Sequence, residues 1–105
     1  YKNAIVDADA TGTWVLNKKS TPCIRALKTQ FTATIHEQGL MPPDTFKGIR
    51  SVYFDGDMDA APALAGQSAG LIHAVKPVRS IIDDTVAEFL AISRRLGALG
   101  AAGHF

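Results

Sequence analysis

The spacing of apolar residues along the first part of the chain predicts two helices and a short strand. Apolar residues among lysine and aspartate at positions 2–9 predict a helix of about two turns. Positions 13–16 are rich in β-branched and aromatic residues, which favours a brief strand. A second helix is expected from Thr21, a favourable N-cap followed by proline, to about Gln38, with Gly39 as a left-handed cap. Its apolar stripe consists of Ile24, Leu27, Phe31 and Ile35.

The middle of the chain is expected to be helical as well. After a turn at positions 41–43, Asp44 is a candidate cap for a shorter helix that carries Phe46, Ile49, Val52 and Tyr53. Positions 60–75 are rich in alanine, glycine and serine, and they predict a helix that packs closely against its neighbours. Gly66 and Gly70 would each weaken that helix by roughly 1 kcal/mol relative to alanine, so we expect a close backbone contact there.

The clearest helix begins after Pro77 and is expected to end at Gly97. Two aspartates lie in its first half and two arginines in its last turn, as the helix dipole favours. Its apolar stripe consists of Val78, Ile82, Val86, Phe89, Ile92 and Leu96. The chain is therefore predicted to be mainly α, with at most one short strand.

Composition and charge narrow the function classes. The 105 residues allow one small domain or a piece of a larger one. With 47% apolar and 20% charged residues, the chain has an ordinary globular composition and is neither disordered nor collagen-like. The net charge of +1 creates no strong field for nucleic acid or anionic lipid. Cys23 is the only cysteine, which excludes an intramolecular disulfide. No membrane span is predicted, and the expected compartment is cytoplasmic.

Residues 66–70, Gly-Gln-Ser-Ala-Gly, match the pattern of a serine nucleophile elbow. That geometry needs a strand that enters the turn, whereas the preceding residues 62–65 are poor strand material. The triad would consist of Ser68, Asp83 or Asp84, and His104. Because too few strands are predicted for a hydrolase sheet, close packing of small residues is the favoured interpretation.

Three aspartates have the spacing of the first three ligands of a calcium-binding loop: Asp55, Asp57 and Asp59. That loop needs glycine at its sixth position and glutamate at its twelfth, where this sequence has Ala60 and Gly66. The aspartates are therefore interpreted as a solvated turn that caps the following helix.

The remaining reactive residues form no complete catalytic set. No metal-ligand spacing is formed by the three histidines, His36, His73 and His104. His73 is expected to be structural because its neighbours are apolar. Cys23, with Arg25 two residues further on, is a candidate reactive thiol, but a buried, unreactive thiol is the favoured interpretation. Lys18 and Lys19 are expected to be a solvated pair.

Three stretches, taken in order, resemble the flavin-dependent nitronate monooxygenases, formerly called 2-nitropropane dioxygenases. Residues 1–8 resemble the segment after the last barrel strand. Residues 25–31 resemble the family's Arg-x-Leu-Lys/Arg-Asn-x-Phe stretch, with Thr29 where asparagine is usual. The C-terminal signature is matched at 56–59, 65–72 and 76–78, and Ala-Gly-Gln-Ser-Ala-Gly-Leu-Ile is its most specific part. The resemblance extends to about residue 97, and the flavin enoyl-acyl-carrier-protein reductases of the same superfamily have a closely similar ending.

The resemblance implies the last helix and the helical lid of a (β/α)8 barrel that holds FMN. Such barrels need about 250 residues, so the chain would be their C-terminal part. The implied segments are the end of the barrel at 1–20, the lid at 21–75, the closing helix at 76–97 and a flexible tail at 98–105. The family's phosphate loops and catalytic histidine lie upstream, so no catalytic residue is assigned. The cofactor-binding candidates are Gly66, Gln67, Ser68 and Gly70, with close packing as the alternative.

The implied activity is the oxidation of a small nitronate by O2. Reduction of an enoyl-acyl-carrier protein or of a quinone is the alternative within the superfamily. The alternative from a different functional class is an inactive helical interaction module that would self-associate through exposed apolar surface. Neither nucleic acid nor a membrane is expected as a partner. The chain opens at Tyr1 in a predicted helix, and both a processed terminus and a missing upstream part fit that start.

Overall fold

The computed structural model describes residues 1–103, which form two compact units. The first unit is Tyr1–Val75, and the second begins at Lys76 and consists of helix α3 (Val78–Ala101). The first unit contains helix α1 (Lys2–Asp7), strands β1 (Thr13–Leu16) and β2 (Ile24–Leu27), helix α2 (Gln30–Gln38), a π-helical segment (Ser51–Asp55) and a 3-10 segment (Gln67–Leu71). The predicted first helix and first strand are therefore confirmed.

Strand β2 lies between β1 and a further extended stretch. The two strands are antiparallel, with Thr13 paired to Leu27. On the other edge of β2, the amide of Leu27 donates to the carbonyl of Ala63 at 2.8 Å, and the amide of Ala65 donates to the carbonyl of Arg25 at 3.3 Å. The prediction of at most one strand is wrong, because the second strand is paired on both of its edges.

The sheet separates two hydrophobic clusters. Successive strand residues point to opposite faces, so Ala26 and Leu27 belong to different clusters. One cluster consists of Leu16, Ala26 and Ile35, packed by Trp14, Ile24, Phe31 and Met41. The other cluster consists of Leu27, Val52, Ala61 and Ala63. Most of the residues packed against it come from α1 and its ends or lie just before and after the π-helical segment. Each fully buried Val or Leu side chain contributes about 1.5–3 kcal/mol, so these clusters hold the first unit together.

Helix α2 begins later than the sequence predicts. The first half of the predicted stripe lies in β2, so Thr21 does not start a helix. The alternation of residues 24–27 fits a strand as well as a helix, and pairing on both edges satisfies the backbone polar groups. The hydroxyl of Thr29 accepts from the amide of Thr32 at 3.2 Å, and the Thr32 hydroxyl accepts from the Thr29 amide at 3.0 Å. This capping box starts α2, and Gly39 ends it with the predicted positive φ of 76°.

The stretch from 60 to 75 is not the predicted helix. Ala61 and Ala63 are fully buried, and the chain there is extended along β2 until the 3-10 segment begins. Their small side chains fit in the same cluster as Val52. Pairing with β2 replaces the intrahelical hydrogen bonds that a helix would have made.

The predicted start of the shorter helix, at Asp44, is also wrong. Residues 43–48 form turns, and the hydroxyl of Thr45 donates to the carbonyl of Pro42. The π-helical segment follows and ends at Gly56, which has a φ of 74° in the predicted turn.

Helix α3 begins after Pro77 as predicted but runs through Gly97 to Ala101. A single glycine costs a helix only about 1 kcal/mol, so the alanine and leucine that follow can continue it. Two exposed ion pairs join Lys76 to Asp84 at 3.1 Å and Arg79 to Asp83 at 3.6 Å. Within residues 1–103, no helix combines the length and the apolar character needed to cross a bilayer.

Candidate functional site

The Gly66–Gly70 segment begins where the edge stretch along β2 ends. Ala26 and Leu64 form an antiparallel bridge just before it. Residues 62–65 are therefore strand-like at this point, although the sequence marks them as poor strand material. Gly66 has extended backbone angles (φ −84°, ψ 174°), and the 3-10 segment follows it without a side-chain cap.

Gly70 packs against the backbone of the loop between α1 and β1. A Cβ at this position would lie 2.6 Å from the nitrogen of Ala10, and 2.7 Å from both the Cα of Ala10 and the carbonyl carbon of Asp9. The close backbone contact expected in this segment is therefore present at Gly70. Only a glycine allows the loop and the 3-10 segment to approach this closely.

The other three candidate cofactor-binding residues are exposed to solvent. Gly66, Gln67 and Ser68 are exposed, and a Cβ built on Gly66 would meet only the Ser68 hydroxyl, at 3.9 Å. Their small side chains and accessible backbone are compatible with a flat ligand lying against them. Gly70 thus packs against the protein, whereas Gly66, Gln67 and Ser68 form an exposed surface, called the Gly66–Ser68 face.

The structure provides no partners for a serine nucleophile. Among residues 1–103, the Ser68 hydroxyl makes no hydrogen bond to a histidine or a carboxylate. Asp83 and Asp84 are both engaged in ion pairs at the start of α3. The third predicted triad residue, His104, lies outside the described residues.

A shallow, open depression of about 490 Å³ lies beside Gly66. Its lining consists of Ile24, Arg25, Leu64, Ala65 and Gly66. The guanidinium of Arg25 donates from Nη1 to the hydroxyl of Thr13 on the neighbouring strand β1, at 3.1 Å, and Thr13 is not among the lining residues. Sequence reasoning treated Arg25 only as part of a family stretch and as a neighbour of Cys23, because pairing of two strands was not predicted.

A larger open cavity of about 890 Å³ lies between the loop after α1 and the start of α2. Two of the three acidic residues in its lining, Asp9 and Asp59, have hydrogen-bond partners. The Asp9 carboxylate accepts from the hydroxyl and the amide of Thr11, both at 2.8 Å, and these bonds lower its pKa. Asp59 accepts from the amide of Phe31 at 3.2 Å. Asp59 thus caps the preceding α2 rather than the following helix that the sequence analysis expected.

No group of three potential metal ligands occurs in the described part of the chain. The ring of His36 is stacked on Trp14 at 4.3 Å, and its Nδ1 lies 3.2 Å from the carbonyl oxygen of Val15. His73 is exposed, although its apolar neighbours predicted a structural role.

Cys23 is exposed rather than buried. Its thiol lies near backbone carbonyls, and Arg25 points to Thr13 instead.

The phenol of Tyr1 joins the first helix to the edge stretch. Its hydroxyl donates to the carbonyl of Leu64, and its ring meets the ring of Tyr53 edge-on at 4.7 Å. Burial, followed by the neighbouring Tyr53, raises the pKa of Tyr1 above its ordinary value. This contact fixes the stretch that leads into Gly66.

No protein-family model and no curated protein matches the chain. Solved structures do match it, and two of them are structures of one enzyme. FabK from Thermotoga maritima is 33% identical, with a TM-score of 0.82 over 93% of this chain and 33% of that one. A point mutant of the same FabK is 33% identical, with a TM-score of 0.77 over 93% of this chain and 30% of that one. This chain is similar to about a third of FabK.

The similarity to FabK confirms that the chain has the fold of a part of a (β/α)8-barrel enzyme, as the resemblance implies. The chain is partly helical with a two-stranded sheet, where the sequence predicted a mainly α chain. It supports the superfamily of flavin-dependent oxidoreductases that the sequence resembles, and it does not separate the monooxygenases from the reductases. The chain spans about a third of the length of the FabK chains that it matches.

Proposed function

We propose that this chain is the lid portion and closing helix of an FMN-dependent oxidoreductase that oxidises small nitronates with O2. The observation that carries the proposal is the similarity to FabK over 93% of the chain, at 33% identity. The outward face of Gly66, Gln67 and Ser68 supports a place for a flat cofactor.

FMN, when bound, would supply the electron transfer between substrate and oxygen. The residues of this chain would serve to bind and to exclude water. Gly66 leaves room for the ring to approach the backbone, and Gln67 offers an amide that donates and accepts hydrogen bonds. Leu71 and Ile72, both exposed directly after them, would shield the cofactor from water. Gly70 would act indirectly, because its contact with Ala10 places the segment.

The second candidate is the reduction of an enoyl thioester, and the match to FabK is compatible with it. Both activities use the same cofactor, so this chain's residues alone do not distinguish them. A substrate panel does. The complete protein, saturated with FMN, should consume O2 with propionate-3-nitronate if the first candidate holds. It should instead oxidise NAD(P)H with an enoyl thioester or a quinone if the reductase alternative holds.

Two spectra test the cofactor proposal. The complete protein should retain the visible bands of FMN after free flavin is removed, whereas the 105-residue chain alone should be colourless, because its sequence contains no glycine-rich phosphate loop. A complete protein that retains no flavin, and neither consumes O2 nor oxidises NAD(P)H, would overturn the proposed function.

A further inference from the structure

The loop between α1 and β1, residues 8–12, is fixed at both of its ends. The amide of Ala8 donates to the carbonyl of Ile5 in α1 at 3.1 Å. At the other end of the loop, the carbonyl of Gly12 accepts from the amide of Lys28, directly after β2, at 2.9 Å. The loop is therefore joined to α1 on one side and to the end of β2 on the other.

Asp9 holds the middle of this loop through three hydrogen bonds. Its carboxylate accepts from the amide and from the hydroxyl of Thr11, both at 2.8 Å, and its main-chain carbonyl accepts from the amide of Gly12 at 3.0 Å. An aspartate side chain that bonds to the backbone two residues further on fixes a turn of this kind. The orientation of the peptide between Asp9 and Ala10 therefore depends on the Asp9 side chain.

The peptide between Asp9 and Ala10 is the group on which Gly70 packs. A Cβ at Gly70 would lie 2.7 Å from the carbonyl carbon of Asp9 and 2.6 Å from the nitrogen of Ala10, and these two atoms form one peptide bond. Ala69, next to Gly70, is only 3% exposed, so this end of the 3-10 segment is anchored, whereas the Gly66–Ser68 face is exposed. A rotation of the peptide would move the anchored end, and the Gly66–Ser68 face would move with it.

We propose that Asp9 is a positioning residue for the flavin. Its carboxylate fixes the peptide against which Gly70 packs, and Gly70 in turn sets the place of the Gly66–Ser68 face. The step from this face to FMN rests on the proposed function. Asp9 acts through Gly70 and not by contact with the cofactor. It strengthens binding because a face that is already in place needs no ordering when the ligand arrives.

The first test follows the Gly66–Ser68 face in the 105-residue chain without flavin, from the backbone amide NMR signals of residues 66–68. Asp9→Ala removes the acceptor of both bonds from Thr11, and it should shift these signals. Asp9→Asn keeps an acceptor oxygen for the same bonds but carries no charge, and it should restore the signals of the parent chain. Rescue by the amide shows that the side chain acts through its hydrogen bonds and not through its charge.

Asp57→Ala is the matched control. The carboxylate of Asp57 accepts from the amide of Asp59 at 3.1 Å, in a turn of the same kind, and neither residue is among the nearest neighbours of Gly70. This variant should leave the signals of residues 66–68 unchanged. Thr11→Val removes one of the two bonds to the Asp9 carboxylate and keeps the other, so it should give smaller shifts in the same direction as Asp9→Ala.

The second test is FMN binding by the complete protein, measured by titration of the visible flavin bands. Asp9→Ala should weaken FMN binding by about fivefold, because the Gly66–Ser68 face is no longer held in place. Asp9→Asn and Asp57→Ala should each change it by less than about twofold.

Four results would overturn the proposal: unchanged signals of residues 66–68 in Asp9→Ala, failure of Asp9→Asn to restore them, equal shifts in Asp57→Ala, or FMN binding by Asp9→Ala as tight as in the parent. Should Asp9→Ala unfold the chain, unchanged signals in Thr11→Val would overturn it. A parent protein that binds no FMN would instead overturn the proposed function. The NMR comparison contains no flavin, so it still decides whether Asp9 positions the face.

Discussion

Replacing Gly70 by alanine tests whether backbone contact holds the 3-10 segment against the loop after α1. The added Cβ would lie 2.6 Å from the nitrogen of Ala10 and 2.7 Å from the carbonyl carbon of Asp9. Both are backbone atoms, so no side-chain rotation can relieve the overlap. Carbon contacts are normally about 3.5–4.0 Å, so the two segments would have to separate by about 1 Å.

The expected cost of Gly70→Ala follows from two opposing effects. Overpacking of this kind costs about 1–3 kcal/mol. Alanine also restricts the unfolded chain, which offsets about 0.4–1 kcal/mol of that cost. Gly70 is not among the glycines with positive φ, so the backbone itself adds no strain. We expect a net loss of about 1–2 kcal/mol, which lowers the Tm of a domain this size by roughly 5–15 °C.

Gly66→Ala is the matched control in the same segment. Its Cβ would meet only the Ser68 hydroxyl at 3.9 Å, so the unfolding free energy should stay the same or rise by up to about 1 kcal/mol. Urea unfolding followed by the fluorescence of Trp14, the single tryptophan, reports on the first unit. Equal stabilities of the two variants, or a more stable Gly70→Ala, would refute the reasoning.

Three further predictions concern the first unit. Thr32→Val should lower the unfolding free energy by about 1–3 kcal/mol, because the buried hydroxyl accepts from the indole N–H of Trp14 at 3.0 Å; unchanged urea unfolding would contradict this. Thr29→Ala should cost about 1 kcal/mol in the same assay, whereas Thr29→Asn keeps an N-cap and should be nearly neutral. The pKa of Tyr1 is raised in the folded state by burial and by Tyr53, so its contribution to stability is complete below pH 10.0 and is lost as the pH rises through the folded pKa. Tyr1→Phe should remove that part of the alkaline loss of stability, and identical pH profiles of the variant and the parent would contradict the assignment.

Part of the candidate site could be predicted from the sequence. The Gly66–Gly70 segment was found through a family resemblance, and the helix-weakening glycines indicated a close backbone contact in it. Which glycine makes the contact was not predictable, since Gly70 meets Ala10 only after the intervening chain has folded back. The cavity beside Gly66 was not predictable for the same reason, because it is formed by residues from β2 and from the stretch 64–66.

The sequence by itself determined the elements whose signals are local. The first helix, strand β1, the left-handed cap at Gly39 and the start of α3 depend on neighbouring residues, and all four were predicted correctly. Tertiary structure decided residues 24–27 and 60–75, where small and apolar residues suit a helix and a strand alike. Two backbone hydrogen bonds join these stretches, from Leu27 to Ala63 and from Ala65 to Arg25. Their pairing therefore outweighs local propensity, and it also places Arg25 and Gly66 at one cavity.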